Sequence, residues 1–144
     1  MAKNTIDLTR EEIVQRVKEK EDSVKDYVSY VPVGNAVEKI SGWTEGNYLF
    51  YLTSRKKSEE IEQIRNVLKK FNFPAGELVF RKDGEEYKDV AERIMPDILI
   101  EDDCESIGWE TQMTYPHIKA DLKLKIKSIV VREFSGIDDL PDKL

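Results

Sequence analysis

The chain has 144 residues, of which 40% are apolar and 36% charged, with a formal net charge of -6 and a pI near 5.0. That is the length of one domain around one core, and its acidity argues against a nucleic-acid or anionic-membrane binder, both of which favour basic surfaces. A single cysteine, Cys104, excludes an intrachain disulfide and a thiolate zinc cluster; with no apolar run long enough for a signal peptide or a membrane helix, the expectation is a cytoplasmic protein with small-molecule or protein partners.

Thr9 and Glu12 in "TREE" have the spacing of a capping box, and Ile13, Val14, Val17, Val24, Tyr27 and Val28 recur at near-helical spacing behind it. A long amphipathic helix over about 10 to 28 follows, making residues 1 to 30 an N-terminal helical segment ahead of an α/β core at 31 to 144. Pro32 breaks the helix, and Ala36, Val37 and Ile40 form the stripe of a second, shorter one. After the turn "TEGN", the run "YLFYLT" reads as a strand buried on both faces. Ser58 is placed to cap the next helix, with Glu59 and Glu60 in its first turn, Ile61, Ile64, Leu68 and Phe71 on its core face, and Lys69 and Lys70 at its end. "GELVF" is then a strand, "EEYKDVAERIM" a helix, "DILI" a strand and "KSIVVREF" the last strand.

Strands alternating with helices predict a single domain of three layers: a mostly parallel, Rossmann-like α/β sheet covered on both faces. Ligands bind such sheets beyond the carboxyl ends of the strands. Two polar clusters fall there: "TSR" after Leu52, and "EDD" after Ile100 with Glu105 close behind. Packing Glu101, Asp102, Asp103 and Glu105 together costs repulsion unless water screens them or a cation sits among them, and Mg²⁺ takes such oxygen ligands. Acids also crowd solvated loops without chemical purpose, but their position at a strand end favours the functional reading.

From "VPVGNAVEKI" to "LIEDDCESIG", residues 31 to 108, the chain resembles the haloacid-dehalogenase-like phosphohydrolases, in particular small phosphatase and nucleotidase-like members. The resemblance implies that Thr53, with Ser54 and Arg55 beside it, binds a phosphoryl group. It also implies that Lys88 balances charge ahead of the acidic strand, and that Asp102, helped by Glu101 or Glu105, binds Mg²⁺, with Asp103 as the one-residue alternative register. A hydroxyl donor, a lysine and a magnesium ion are what phosphoryl transfer asks of a protein, namely positioning and neutralisation of oxygens. The implied activity is a Mg²⁺-dependent phosphatase acting on a small phosphorylated molecule.

The family's nucleophile is the first aspartate of a D-x-D motif, and the 144 residues contain no D-x-D. In "TIDLT" Asp7 and Thr9 mimic the second half of that motif, but Thr5 would stand in the nucleophile's place with no base to activate it. The chain as given is therefore expected to start after the catalytic strand and to be inactive. The alternative is a non-catalytic module derived from this fold that binds phosphate or Mg²⁺, or another protein. In the resembled family the missing strand lies between "YLFYLT" and "DILI". The gap is expected to close by direct pairing of those strands or by entry of "KNTIDL", ahead of a strand donated by a second copy in a homodimer.

The remaining candidates read more simply. His117 beside Pro116 is a loop residue, and Cys104 among acids has a blunted thiol. Trp43 and Trp109 are packing residues before they are stacking platforms, and "RKK" at 55 to 57 either attracts a phosphate or starts a solvated helix.

Overall fold

Thr9 and Glu12 close the capping box at the first helix: the Thr9 N–H donates to Glu12 Oε2 at 2.7 Å, and the Glu12 N–H to Thr9 Oγ1 at 3.3 Å. The structure, a computed structural model, describes residues 2–3, 9–18 and 27–144. Helix α1 spans Arg10–Lys18, preceded by the short strand β1 at Ala2–Lys3. Thr5, Asp7 and Val24, and the predicted helix over 19–26, lie outside the described residues. Tyr27 and Val28 do not continue an α-helix. They form a 3-10 turn, Tyr27–Ser29, because Tyr30–Val31 (β2) is drawn out to pair antiparallel with β1 and Pro32 keeps the residue before it extended.

Helix α2 spans Ala36–Trp43, and strand β3 spans Phe50–Thr53. The strand is shorter and less buried than the run "YLFYLT" predicts, since pairing begins only at Phe50 and leaves Tyr48 96% exposed. Helix α3 spans Ser58–Lys70 and buries Ile61 and Val67. Its cap is Lys57, without a side-chain capping bond: the Ile61 N–H bonds to the Lys57 carbonyl, so Ser58 already sits inside the helix. Strand β4 spans Glu77–Phe80, and helix α4 spans Tyr87–Ile94. Glu86 and Asp89 form a reciprocal capping box at the start of α4 that the sequence reading missed, and Pro96 stops the helix just after Met95 turns left-handed at φ 51°. Strand β5 is Ile98–Asp102, the short helix α5 is Ala120–Lys123, and strand β6 is Lys127–Val131.

The chain is thus a mixed α/β protein with five α-helices among the described residues. Strands β3 and β4 pair in parallel from Phe50↔Glu77 to Thr53↔Phe80, and β5 and β6 from Ile98↔Lys127 to Asp102↔Val131. These are separate two-stranded sheets among the described residues, so direct closure of β3 on β5 is not the arrangement found. Hydrogen bonds from the Glu77 and Arg81 N–H groups to the Leu49 and Arg55 carbonyls turn the odd-numbered peptide groups of β3 toward β4. Those of Phe50 and Leu52 consequently face the other edge. By the same alternation the Lys127 to Asp97 and Asp103 to Val131 bonds leave Ile98, Ile100 and Asp102 facing the far edge of β5.

One core joins the two pairs. Ala91 of α4, Leu99 of β5, Ile118 and Ile126 are buried together, and Leu52 of β3 packs against them with Met95, Tyr115 and Leu122. Val90 and Ala91, both fully buried, seat α4 against β3, and Ala91 shares the core with Leu99 of β5.

Candidate functional site: the carboxyl ends of two parallel strand pairs

Thr53 is the last residue of β3 and half-buried, and its Oγ1 accepts the Arg55 N–H at 3.2 Å. The hydroxyl thus shapes the turn that carries Ser54 and Arg55 off the strand. The Arg55 carbonyl is fixed by the Arg81 N–H, and its guanidinium stands 5.7 Å from the centre of the Tyr27 ring, within cation–π range. Among the described residues Arg55 makes no ion pair with a carboxylate. Lys56 and Lys57 follow, both exposed.

At the end of β5 the acids have partners. Both oxygens of Glu101 are bound by backbone, accepting the Thr114 N–H at 2.6 Å and the Tyr115 N–H at 2.8 Å. Thr114 is only 1% exposed, so this carboxylate anchors a buried segment. Asp102 Oδ1 accepts the Cys104 N–H at 2.8 Å, and Asp103 Oδ1 accepts the N–H groups of Glu105 and Glu133 at 3.2 and 3.1 Å. Glu105 forms a close ion pair with Arg10, with Arg132 Nε 3.8 Å away, and the Arg10 guanidinium holds its carboxyl below the usual range. Arg10 also donates from Nε to the Glu133 carbonyl at 2.8 Å, tying α1 to this cluster.

Glu133 was not singled out by the sequence. Its side chain, 7% exposed, accepts the Ser106 N–H at 2.7 Å and the Ser106 hydroxyl at 2.8 Å. Burial pushes its carboxyl above the ordinary value, opposed by the Ser106 bonds and assisted by the charges of Asp102 and Asp103. Burial and Asp102 likewise push the Cys104 thiol far up, in keeping with its expected low reactivity.

Tyr87 is the second residue the sequence reading missed. Its hydroxyl donates to the Leu52 carbonyl at 3.4 Å, on the free edge of β3. Burial raises its pKa to about 12, a Thr114 hydrogen bond opposes that, and the charges of Glu101 and Asp102 add to it. Its hydroxyl thus touches the edge of β3 and feels the charges of the acids at the end of β5. Lys88 does not: its Nζ lies 3.3 Å from Asp89 and 3.7 Å from Glu86, in the first turn of its own helix, and Asp89 raises its pKa.

Magnesium held by several protein oxygens does not fit this donor set. Among the described residues no three His, Cys, Asp or Glu side chains gather as a metal cluster, and Glu101 and Glu105 are bound to backbone and guanidinium groups. Asp102, the exposed member, retains one oxygen outside the turn it stabilises. His117 places Nε2 2.9 Å from the Glu110 carbonyl, Trp43 is buried, and Trp109 is exposed at φ 56°. No described helix is long and apolar enough to cross a membrane. Compared with protein-family models, curated proteins and solved structures, the chain matches none of them.

Proposed function

We propose that the chain is a haloacid-dehalogenase-like unit, laid out on the three-layer Rossmann-like plan of that superfamily, which in this 144-residue form binds a small phosphorylated molecule without hydrolysing it. The observation that carries the reading is the contrast at the strand ends. Thr53, Ser54 and Arg55 leave β3 with a guanidinium that has no carboxylate partner among the described residues, while the acids at β5 are held by their own chain. A phosphate dianion would gain charge-assisted bonds from Arg55 and from the hydroxyls of Thr53 and Ser54. Tyr87 of α4 hydrogen-bonds the Leu52 carbonyl of β3, and Ala91 of the same helix packs with Leu99 of β5.

Turnover lacks its attacking group, since the sequence holds no D-x-D aspartate, and Lys88 is engaged on its own helix. No step is assigned to Mg²⁺. The test is a titration of the purified chain with inorganic phosphate and with a phosphomonoester, followed by calorimetry and by release of free phosphate. Saturable binding that weakens about tenfold or more in Arg55→Ala, with no phosphate released, is expected. Hydrolysis well above background would overturn the non-catalytic reading, and absence of binding would leave a protein-interaction module.

A further inference from the structure

Residues 138–142, "DDLPD", lie along α2 and are read by a row of donors spaced four residues apart on one face of that helix. At its start the Asn35 N–H reaches both Asp138 oxygens, at 2.9 and 3.2 Å. One turn on, Lys39 Nζ donates to the Leu140 carbonyl at 2.8 Å and meets Asp142 Oδ1 at 2.6 Å. A further turn on, the buried Trp43 indole N–H donates to the Pro141 carbonyl at 2.8 Å. Every group on α2 is a donor and every partner on the tail an acceptor, so the match is one of charge and of register.

The groove is shaped for this visitor. A Cβ at Gly34, where φ is +55°, would come within 2.3 Å of Asp138 Oδ2, so glycine is what lets the carboxylate approach the helix. Just before the tail the chain turns through two left-handed residues, Phe134 at φ 60° and Gly136 at φ 84°. Left-handed backbone at a residue other than glycine is strained, and a short strained hinge ahead of a docked segment is the geometry from which segments exchange between copies.

We propose that the α2 face is a recognition groove for an extended acidic segment of the form Asp-x-x-x-Asp, filled in cis by residues 138–142 and able to take the same segment from a second copy of this chain. Recognition needs the Asp138 and Asp142 carboxylates, the backbone carbonyls of the two residues before Asp142, and Lys39 opposite. The inference is independent of any phosphate site, since no residue of the β3 or β5 ends takes part.

Complementation between two variants of the 144-residue chain tests it. Lys39→Ala disables a groove and leaves its tail intact; Asp138→Ala with Asp142→Ala disables a tail and leaves its groove open. Each alone should be monomeric, and the mixture should give a one-to-one complex by light scattering that disappears when Lys39→Ala is introduced into the second chain as well. Two chains with wild-type circular dichroism that fail to associate would overturn the proposal. Should either variant fail to fold, the wild-type chain with millimolar peptide of residues 136–144, a concentration comparable to that of the tethered tail, provides the second measurement. Hydrogen exchange should then show the Leu140 amide losing protection while α2 keeps its own, and an unchanged pattern would overturn the proposal equally.

Discussion

The two parallel strand pairs end in opposite ways. At the end of β3 and just beyond it the chain offers hydroxyls and cations with few internal partners, Thr53, Ser54, Arg55 and two exposed lysines. At the end of β5 and beyond it gathers Glu101, Asp102, Asp103, Glu105 and Glu133, and binds each of them to backbone N–H groups, to Ser106 or to arginine. The difference teaches that charge density alone does not mark a ligand site. Acids whose oxygens are already hydrogen-bonded serve the fold, and groups left with spare donors remain available to a ligand.

The largest expected effect follows from Glu101. Glu101→Ala removes the acceptors of two N–H groups in a segment containing buried Thr114, which by the usual cost of unsatisfied buried donors is about 3 kcal/mol. For a chain of this size that lowers Tm by roughly 10 °C. A thermal melt within 2 °C or so of wild type would break the comparison, because it would mean that the carboxylate is not a structural anchor.

Two glutamates in this one cluster should respond to pH in opposite senses. The folded-state carboxyl of Glu133 is raised above 4.5 by burial, so its contribution is greatest at low pH and is lost as pH rises through the raised value. Glutamine can accept the Ser106 N–H and donate to the Ser106 oxygen, so Glu133→Gln should gain stability relative to wild type between about pH 4 and 7. Parallel stability curves over that window would show that the buried charge carries no penalty. Glu105 is the reverse case: Arg10 holds its folded-state carboxyl below 4.5, and its contribution is present above that value and lost as pH falls through the depressed one. Glu105→Gln should therefore be less sensitive to acid than wild type, which denaturant melts between pH 5 and 2 would reveal.

Much of the local structure was legible because it rests on short-range rules. The Thr9 and Glu12 box, the α3 stripe with Ile61, and the strands at 77–80, 98–102 and 127–131 all follow from spacing and turn chemistry. What escaped depends on partners far along the chain. Glu133 lies 27 residues beyond Ser106, Arg10 lies 95 before Glu105, and Tyr87 lies 35 beyond Leu52. The sequence shows the acids of 101–105 as a row, whereas the fold turns successive members toward different groups: Glu101 to the 114–115 turn, Asp103 to the chain beyond β6, Glu105 to α1. Lys88 shows the complementary, local case: it pairs with Glu86 and Asp89, acids that adjoin it in the sequence. Which strands pair with which was not legible either, because pairing partners are chosen by the tertiary structure rather than by the strands' own residues.

The smallest expected effect is at Thr53, and it sharpens the comparison from the other side. Its hydroxyl makes one bond, from the Arg55 N–H at 3.2 Å, in a half-buried turn that water reaches. Losing a single neutral hydrogen bond of that kind costs about 0.5–1 kcal/mol, and the lower strand preference of alanine adds a few tenths. Thr53→Ala should therefore melt within a few degrees of wild type, while its affinity for inorganic phosphate falls along with that of Arg55→Ala. The two measurements separate fold from binding, which the acidic end does not allow, since substitutions there disturb both. A Tm loss matching that of Glu101→Ala, with phosphate affinity unchanged, would make Thr53 another structural anchor and erase the distinction between the two strand ends.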